Sequence, residues 1–210
     1  MPEKPAWLRP HGIPWRRGRA RPIYTNAWIE VTEFAATAPT GNPATYGLVS
    51  FKNLAIAILP IHDDGTVELV GQHRFPCADY SWEIPEGGGP RDRDPLESAR
   101  RELAEETGLA ARDWREILRV QMSNSVTDEL AIGYLATGLE ASTEAHATDD
   151  TEALARIRAP FVEILAAVMA GQILDVLTVA MVLKASHMAQ QGALPPPLAR
   201  AIMDPGTGRS

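Results

Sequence analysis

Short runs that alternate large apolar residues with polar ones predict a protein rich in β-strands. The clearest run is residues 28–34 (WIEVTEF), whose period of two indicates a strand with one buried face. The turn sequence Asp63-Asp64-Gly65 separates two apolar runs, so a β-hairpin is expected over residues 54–70. The predicted strands are residues 28–34, 45–51, 54–61, 67–70, 130–136 and 154–158.

Helical spacing of apolar residues predicts three helices, over residues 95–107, 160–170 and 175–190. Asp175 suits the N-cap of the last helix, and the apolar stripe that follows it is typical of a core or dimer contact. Strands and helices mix without regular alternation, which favours an α+β fold over a doubly wound sheet.

The chain has 210 residues, with 20 Lys and Arg against 27 Asp and Glu and a formal net charge of −7. This length suits one domain, or one domain with an arm, and the acidic balance argues against a nucleic-acid partner. No run approaches the roughly 18 apolar residues that could span a membrane. The single cysteine, Cys77, excludes a disulfide framework and suits a reducing compartment, so a cytoplasmic protein is expected.

The two ends of the chain differ from its middle. Residues 1–22 are basic and rich in proline, and no apolar segment follows them, so a surface lead segment is expected rather than a secretory signal. Residues 192–210 begin with glycine and contain three consecutive prolines, which predicts a loose tail.

The stretch at residues 82–109 (WEIPEGGGPRDRDPLESARRELAEETGL) combines glycines with helix-capping signals. The glycines Gly87-Gly88-Gly89 predict a loop. Asp94 suits an N-cap, Pro95 suits the first helical position, and Gly108 suits the residue that ends the helix. A strand, a glycine loop and a helix of about three and a half turns are therefore expected.

Three acidic residues, Glu102, Glu105 and Glu106, fall on one side of this helix at positions i, i+3 and i+4. Two readings are open: a solvated charged face, or a set of ligands for a cation. The glycine loop ahead of the helix favours the second, because free backbone groups beside hard carboxylate oxygens suit Mg²⁺ or Mn²⁺ bound together with phosphate oxygens.

This segment resembles the Nudix box, G-x5-E-x7-R-E-U-x-E-E-x-G-U, in which U is an aliphatic residue. The motif is long and its spacing is fixed, so agreement at eight positions is specific. The first glutamate of the motif is replaced by Arg93, a departure that bears on metal occupancy and rate more than on the fold. The agreeing positions are Gly87, Arg101, Glu102, Leu103, Glu105, Glu106, Gly108 and Leu109.

The flanking sequences VELVGQHRFP and GQILDVLTVAMVLK resemble the ADP-ribose pyrophosphatase branch of this family. The resemblance implies an α/β/α Nudix sandwich with a mixed sheet over residues 52–191. It also implies an N-terminal β-rich arm, over residues 23–51, that contacts a second copy in a homodimer. The implied reaction is hydrolysis of a nucleoside diphosphate linked to another moiety, with ADP-ribose giving AMP and ribose 5-phosphate.

The resemblance further implies roles for individual residues. Glu102 and Glu106 would be the principal Mg²⁺ ligands. Glu105 would be a further ligand or a catalytic group, and the carbonyl of Glu86 would complete the site. Arg101 would orient the helix carboxylates through charge-assisted hydrogen bonds.

Other residues are implied for the water and the substrate. In this branch a glutamate on a late loop activates the water, and Glu152 is the first choice, with a plain solvated loop as the alternative. Arg74 suits a phosphate because its guanidinium is permanently charged and forked. Glu83 would contact the ribose or adenine side of the substrate, and Gly87 and Gly88 would let the backbone approach it.

Other functions stay open beside this one. The substrate could be another diphosphate, such as a GDP-sugar or a dinucleotide. A ligand-sensing Nudix domain without efficient turnover is motivated by Arg93, although the ligand carboxylates are retained. A purely structural dimer module leaves the three glutamates of the helix unexplained.

Overall fold

A computed structural model describes residues 4–143 and 154–203. The chain divides into two compact units, one formed by residues 1–52 and 123–128, the other by residues 53–122 and 129–210. Each of the predicted strands and helices is present; helix 95–107 has the predicted bounds, and the other elements have ends shifted by up to a few residues. In the described part of the chain, none of the helices is long and apolar enough to cross a bilayer.

The first unit is a three-stranded antiparallel sheet. Its strands are β1 (Arg16–Thr25), β2 (Ile29–Thr37) and β3 (Pro43–Phe51), and β2 lies in the centre. Residues 23–51, the predicted β-rich arm, lie within this unit, and their contact with a second copy stays a prediction.

Strand β1 corrects the prediction of an irregular lead segment over residues 1–22. Residues 16–22 pair with β2, where Arg16 lies opposite Thr37. Every residue of β1 is exposed, so the strand carries none of the apolar alternation that reveals a strand in a sequence. Pro22 is tolerated because β1 is an edge strand, where a missing N–H does not interrupt a ladder on both sides.

The second unit contains seven strands and four helices among its described residues. The strands are β4 (Asn53–Pro60), β5 (Thr66–Arg74), β6 (Asp79–Glu83), β7 (Glu86–Pro90), β8 (Leu109–Gln121), β9 (Leu130–Ala141) and β10 (Ala155–Pro160). The helices are α1 (Pro95–Thr107), α2 (Phe161–Met169), α3 (Val176–Gln190) and α4 (Pro196–Met203).

These strands form a mixed four-stranded sheet, in the order β7-β4-β9-β8, and an antiparallel three-stranded sheet, in the order β10-β5-β6. In the mixed sheet only the pair β4–β9 is parallel. Strand β4 is buried on both faces, since Ile58 packs with Leu103 of α1 while Leu59 packs with Phe161 of α2 and Met181 of α3. Helices therefore cover both sides of the sheet, which confirms the predicted α+β sandwich.

The hairpin predicted over residues 54–70 is wrong beyond its turn. β4 and β5 are joined by the expected turn and a single bridge between Ile61 and Val67, but they then continue in different sheets. The two edges of β4 pair with β7 and β9 instead.

The glycine loop predicted at residues 87–89 is also wrong, because these glycines lie in β7 and pair with β4. Glycine is depleted in strands, so the sequence favoured a loop. The structure supplies the reason for the exception: helix α1 packs directly on β7. A Cβ atom at Gly89 would lie 2.8 Å from Ser98 Oγ and 2.9 Å from Ile56 Cγ1.

Helix α4 corrects the prediction of a loose tail over residues 192–210. Residues 196–203 form a helix whose Ile202 is fully buried in the core cluster that also contains Phe161. The prolines that suggested disorder stand at the start of the helix, where a missing N–H costs nothing.

We expect Ile202→Ala to lower the free energy of unfolding by about 2–4 kcal/mol, because it opens a cavity in a packed core. Met203→Ala is the matched control, since its side chain is 44% exposed and its loss should cost far less. Urea unfolding of the two variants measures both effects. Equal stability losses would contradict the docking of α4.

Candidate active site

Helix α1 begins and ends where its capping residues predict. The Asp94 side chain accepts a hydrogen bond of 3.0 Å from Leu96 N. Gly108 adopts a left-handed conformation, with φ of 69°, and its N–H bonds to the Ala104 carbonyl. With both ends defined, the helix presents Leu103 to the core and its glutamates to β7.

The glutamates Glu102, Glu105 and Glu106 are here called the helix carboxylates. Glu102 is 8% exposed and Glu106 is 5% exposed, which excludes the solvated charged face for these two. Glu86 N donates a hydrogen bond of 3.1 Å to Glu106 Oε2. Carboxylates are buried in this way only when charged or polar partners compensate them.

Gly87 provides the space that Glu102 occupies. A Cβ atom at Gly87 would overlap the carboxylate carbon and both carboxylate oxygens of Glu102. A residue with a side chain would not fit at position 87, which explains the glycine there. The backbone of β7 therefore touches the Glu102 side chain directly.

Arg101 ties the helix carboxylates to the strand. Its guanidinium donates to Glu105 Oε2 at 2.6 Å, to Glu102 Oε1 at 2.5 Å and to the Gly88 carbonyl at 3.0 Å. Partial burial lowers the pKa of Arg101, but the charges of Glu102 and Glu105 outweigh it and raise the pKa above its ordinary value. Arg101 thus holds two carboxylates in a fixed geometry.

A second group of charged residues, here called the Arg74 cluster, comprises Arg74, Glu83, Glu86 and Asp175. One carboxylate oxygen from each of the three acids lies within 4.8 Å of the other two. Arg74 Nε donates to both oxygens of Glu83 at 3.0 Å, and a terminal nitrogen of Arg74 donates to Glu86 Oε1 at 2.6 Å. Glu83 is 3% exposed, and its carboxylate is bonded to the Arg74 guanidinium.

The Arg74 cluster carries an excess of negative charge, with three carboxylates against one guanidinium. Burial, together with the neighbouring charges of Asp175 and Glu83, raises the pKa of the Glu86 carboxyl well above its usual range. Glu86 Oε2 is buried and has no hydrogen-bond partner among residues 4–143 and 154–203. The pocket around Glu86 therefore favours either a bound cation or a protonated carboxyl.

Helix α3 fixes this cluster in place. Asp175 caps the helix by accepting a hydrogen bond of 2.6 Å from Thr178 N, as its position in the sequence predicted. Thr178 Oγ1 accepts a hydrogen bond of 3.0 Å from Ile84 N, which lies between Glu83 and Glu86. The role of Asp175 in the cluster was missed, since the local sequence indicates only a helix cap.

Glu86 joins the two groups of acids. Its backbone N–H bonds to Glu106, while its side chain bonds to Arg74. The structure therefore brings together every site residue predicted from the sequence except Glu152, which lies outside the described residues. Among the described acids, the trio whose oxygens approach most closely is that of the Arg74 cluster, and the helix carboxylates are spaced more widely.

The residues present fit a hard divalent cation. Glu102, Glu105 and Glu106 offer carboxylate oxygens within just over one turn of one helix, and Glu86 adds a carbonyl from the adjacent strand. No imidazole or thiolate enters the set, which matches the oxygen preference of Mg²⁺ and Mn²⁺.

Comparisons with known proteins agree with this fold. A family model described as the NUDIX domain matches residues 52–172, more than half of the chain, and the chain therefore belongs to the Nudix family. A solved structure entitled ADP compounds hydrolase superposes with a TM-score of 0.77 at 19% identity, covering 89% of this chain and 100% of that chain.

Two curated relatives carry the name ADP-ribose pyrophosphatase. The relative from Mycobacterium tuberculosis is 29% identical over 181 residues, which is 84% of this chain and 85% of that protein. The relative from Bacillus subtilis is 29% identical over 130 residues, which is 62% of this chain and 70% of that protein. The predicted class, a Nudix pyrophosphohydrolase similar to ADP-ribose pyrophosphatases, is confirmed.

Proposed function

We propose that this protein hydrolyses ADP-ribose to AMP and ribose 5-phosphate in the presence of Mg²⁺, with Mn²⁺ as the alternative ion. The observation that carries the proposal is the burial of Glu102 and Glu106 against β7, beside Arg101, which donates hydrogen bonds to Glu102 and Glu105. The names of the two curated relatives support the choice of ADP-ribose.

Glu102 and Glu106 would hold the metal, with Glu105 and the Glu86 carbonyl as further ligands. A bound divalent ion supplies neutralisation of the diphosphate and a lower pKa for the attacking water. Arg101 keeps Glu102 and Glu105 oriented, so the ligand oxygens need little reorganisation when the substrate arrives.

Arg74 and Glu83 would bind the substrate on the side of Glu86 that lies away from the helix carboxylates. The Arg74 side chain is 35% exposed, so part of its guanidinium can reach a phosphate while the remainder stays bonded to Glu83 and Glu86. Gly87 and Gly88, which have no side chains, would let the backbone of β7 approach the diphosphate. Glu152 stays the candidate for activating the water.

In the proposed reaction water attacks one phosphorus atom and the bridging P–O–P bond breaks. The water oxygen becomes part of one phosphate monoester, and the bridging oxygen leaves on the other with its electron pair. One proton of the water passes to a carboxylate, for which Glu152 and Glu105 are the candidates. The two products are the monoesters AMP and ribose 5-phosphate.

The test is to incubate the purified full chain with ADP-ribose and Mg²⁺ and to separate the products by chromatography. We expect AMP and ribose 5-phosphate in equal amounts, with the reaction stopped by a chelator and restored by excess Mg²⁺. Parallel reactions with a GDP-sugar, a nicotinamide dinucleotide and a flavin dinucleotide show which diphosphate is preferred. Tight ligand binding without any phosphate-ester product would contradict the proposal and favour a ligand-sensing domain.

A cytoplasmic location and a homodimer formed through the arm at residues 23–51 are part of the same proposal. They rest on the single cysteine, the acidic composition and the resemblance to the ADP-ribose pyrophosphatase branch.

A further inference from the structure

Arg93 stands where the Nudix box has a glutamate, and the structure gives its surroundings. It lies in the turn between β7 and α1, where its N–H donates to the Pro90 carbonyl at 3.3 Å. Its side chain is exposed, and its guanidinium forms no hydrogen bond or ion pair with any residue in the described ranges 4–143 and 154–203. A permanent charge is therefore left available at this position.

Arg93 lines a cavity of about 400 Å³ next to the helix carboxylates, here called the Arg93 cavity. Arg101 lines the same cavity, but its guanidinium is already bonded to Glu102, Glu105 and the Gly88 carbonyl. The remaining lining includes Asn53, Gly88, Ser98 and Glu97.

Arg93 gives the Arg93 cavity a guanidinium that none of the described carboxylates holds, whereas the guanidinium of Arg101 is bonded to Glu102 and Glu105. The carboxylate among the lining residues is that of Glu97, so a glutamate at position 93 would leave two carboxylates there and no uncommitted guanidinium. A forked, uncommitted guanidinium beside an amide side chain suits a phosphate monoester.

The Arg93 cavity is adjacent to the proposed metal site. Arg101 reaches from the cavity to Glu102, and Gly88 follows the glycine on which the Glu102 carboxylate rests. This adjacency suits a substrate whose diphosphate lies at the helix carboxylates and whose ribose carries a second phosphate.

We propose that the Arg93 cavity is a binding subsite for a phosphate monoester, so that the preferred substrates are nucleoside diphosphate derivatives with an additional phosphate on the nucleoside ribose. This inference rests on the proposed function for its substrate class, and it assigns Arg93 the role of recognising that phosphate. Asn53 adds an uncharged donor at the rim, beside Gly88.

The test measures binding rather than turnover, so that it can fail separately from the proposed function. Calorimetry of the full chain with Mg²⁺ compares AMP with adenosine 2′,5′-bisphosphate and adenosine 3′,5′-bisphosphate. We expect at least one bisphosphate to bind about tenfold more tightly than AMP, as a charge-assisted contact to arginine allows. The preference should weaken as salt is added, because the contact is close to solvent.

Variants at position 93 test the assignment directly. Arg93→Ala and Arg93→Glu should remove the preference, while Arg93→Lys should keep part of it as a point charge. Arg100→Ala is the matched control, since Arg100 is exposed on helix α1, which follows the turn that contains Arg93, and does not line the Arg93 cavity. The control should keep the full preference.

Each outcome separates the two proposals. Equal binding of AMP and the bisphosphates, binding of neither bisphosphate, or a preference that persists in Arg93→Ala would overturn the subsite and leave the pyrophosphatase untouched. If the protein prefers a bisphosphate to AMP, if this preference depends on Arg93, and if the protein does not cleave ADP-ribose, the result would support the subsite and contradict the proposed function.

Discussion

Glu106→Gln should lower kcat for ADP-ribose by at least about 1,000-fold, equivalent to roughly 4 kcal/mol of transition-state stabilisation. The substitution removes one negative charge from the set that would hold the metal, and metal chemistry supplies several kcal/mol of the rate acceleration. Glutamine keeps an oxygen that can accept the hydrogen bond from Glu86 N, so the junction between α1 and β7 is retained. Steady-state kinetics over a range of Mg²⁺ concentrations measure the effect.

Two controls separate this loss from misfolding. Glu163→Gln makes the same change at an exposed position in the first turn of α2 and should leave kcat unchanged. Thermal unfolding with and without Mg²⁺ should show a Mg²⁺-dependent rise in the midpoint for the wild type and for Glu163→Gln, and little rise for Glu106→Gln. Unchanged activity of Glu106→Gln would overturn the metal assignment.

Gly87→Ala should reduce activity by about 100-fold, although it adds only one methyl group. The new Cβ atom would overlap the Glu102 carboxylate, so either β7 or that side chain must move. A displacement of about 1 Å in a catalytic group can cost that much. Overpacking should also lower the free energy of unfolding by roughly 1–3 kcal/mol.

Gly47→Ala is the control for this second variant. Gly47 also lies in a strand, but no atom lies within 4 Å of the position that its Cβ would take. Activity and apparent Mg²⁺ affinity should therefore stay at the wild-type level in Gly47→Ala and fall together in Gly87→Ala. If Gly87→Ala keeps wild-type Mg²⁺ affinity, the contact between Gly87 and Glu102 does not position a ligand.

Local signals predicted the elements that carry the site. Helix α1 has the bounds that Asp94, Pro95 and Gly108 indicate, because capping depends on residues next to each other in the chain. The spacing of Glu102, Glu105 and Glu106 placed them on one side of that helix for the same reason. The N-cap role of Asp175 was predicted equally well.

Elements whose local pattern is weak or misleading were missed. Strand β1 is exposed along its whole length, so no apolar period marks it. Strand β7 is rich in glycine because α1 packs closely on it, and the sequence cannot distinguish that cause from the flexibility of a loop. Helix α4 starts with prolines, and only the burial of Ile202 shows that it docks on the core.

By itself the sequence determined the class of fold, the capped helix with its three glutamates and the membership of the Nudix family that those residues indicated. Only the tertiary structure decided that Glu102 and Glu106 are buried, that Glu86 links them to Arg74 and Asp175, and that Arg93 faces a cavity. The physical reason is range: caps and helix faces depend on neighbours within a few residues, whereas burial and charge compensation depend on strands and helices that lie far apart in the chain.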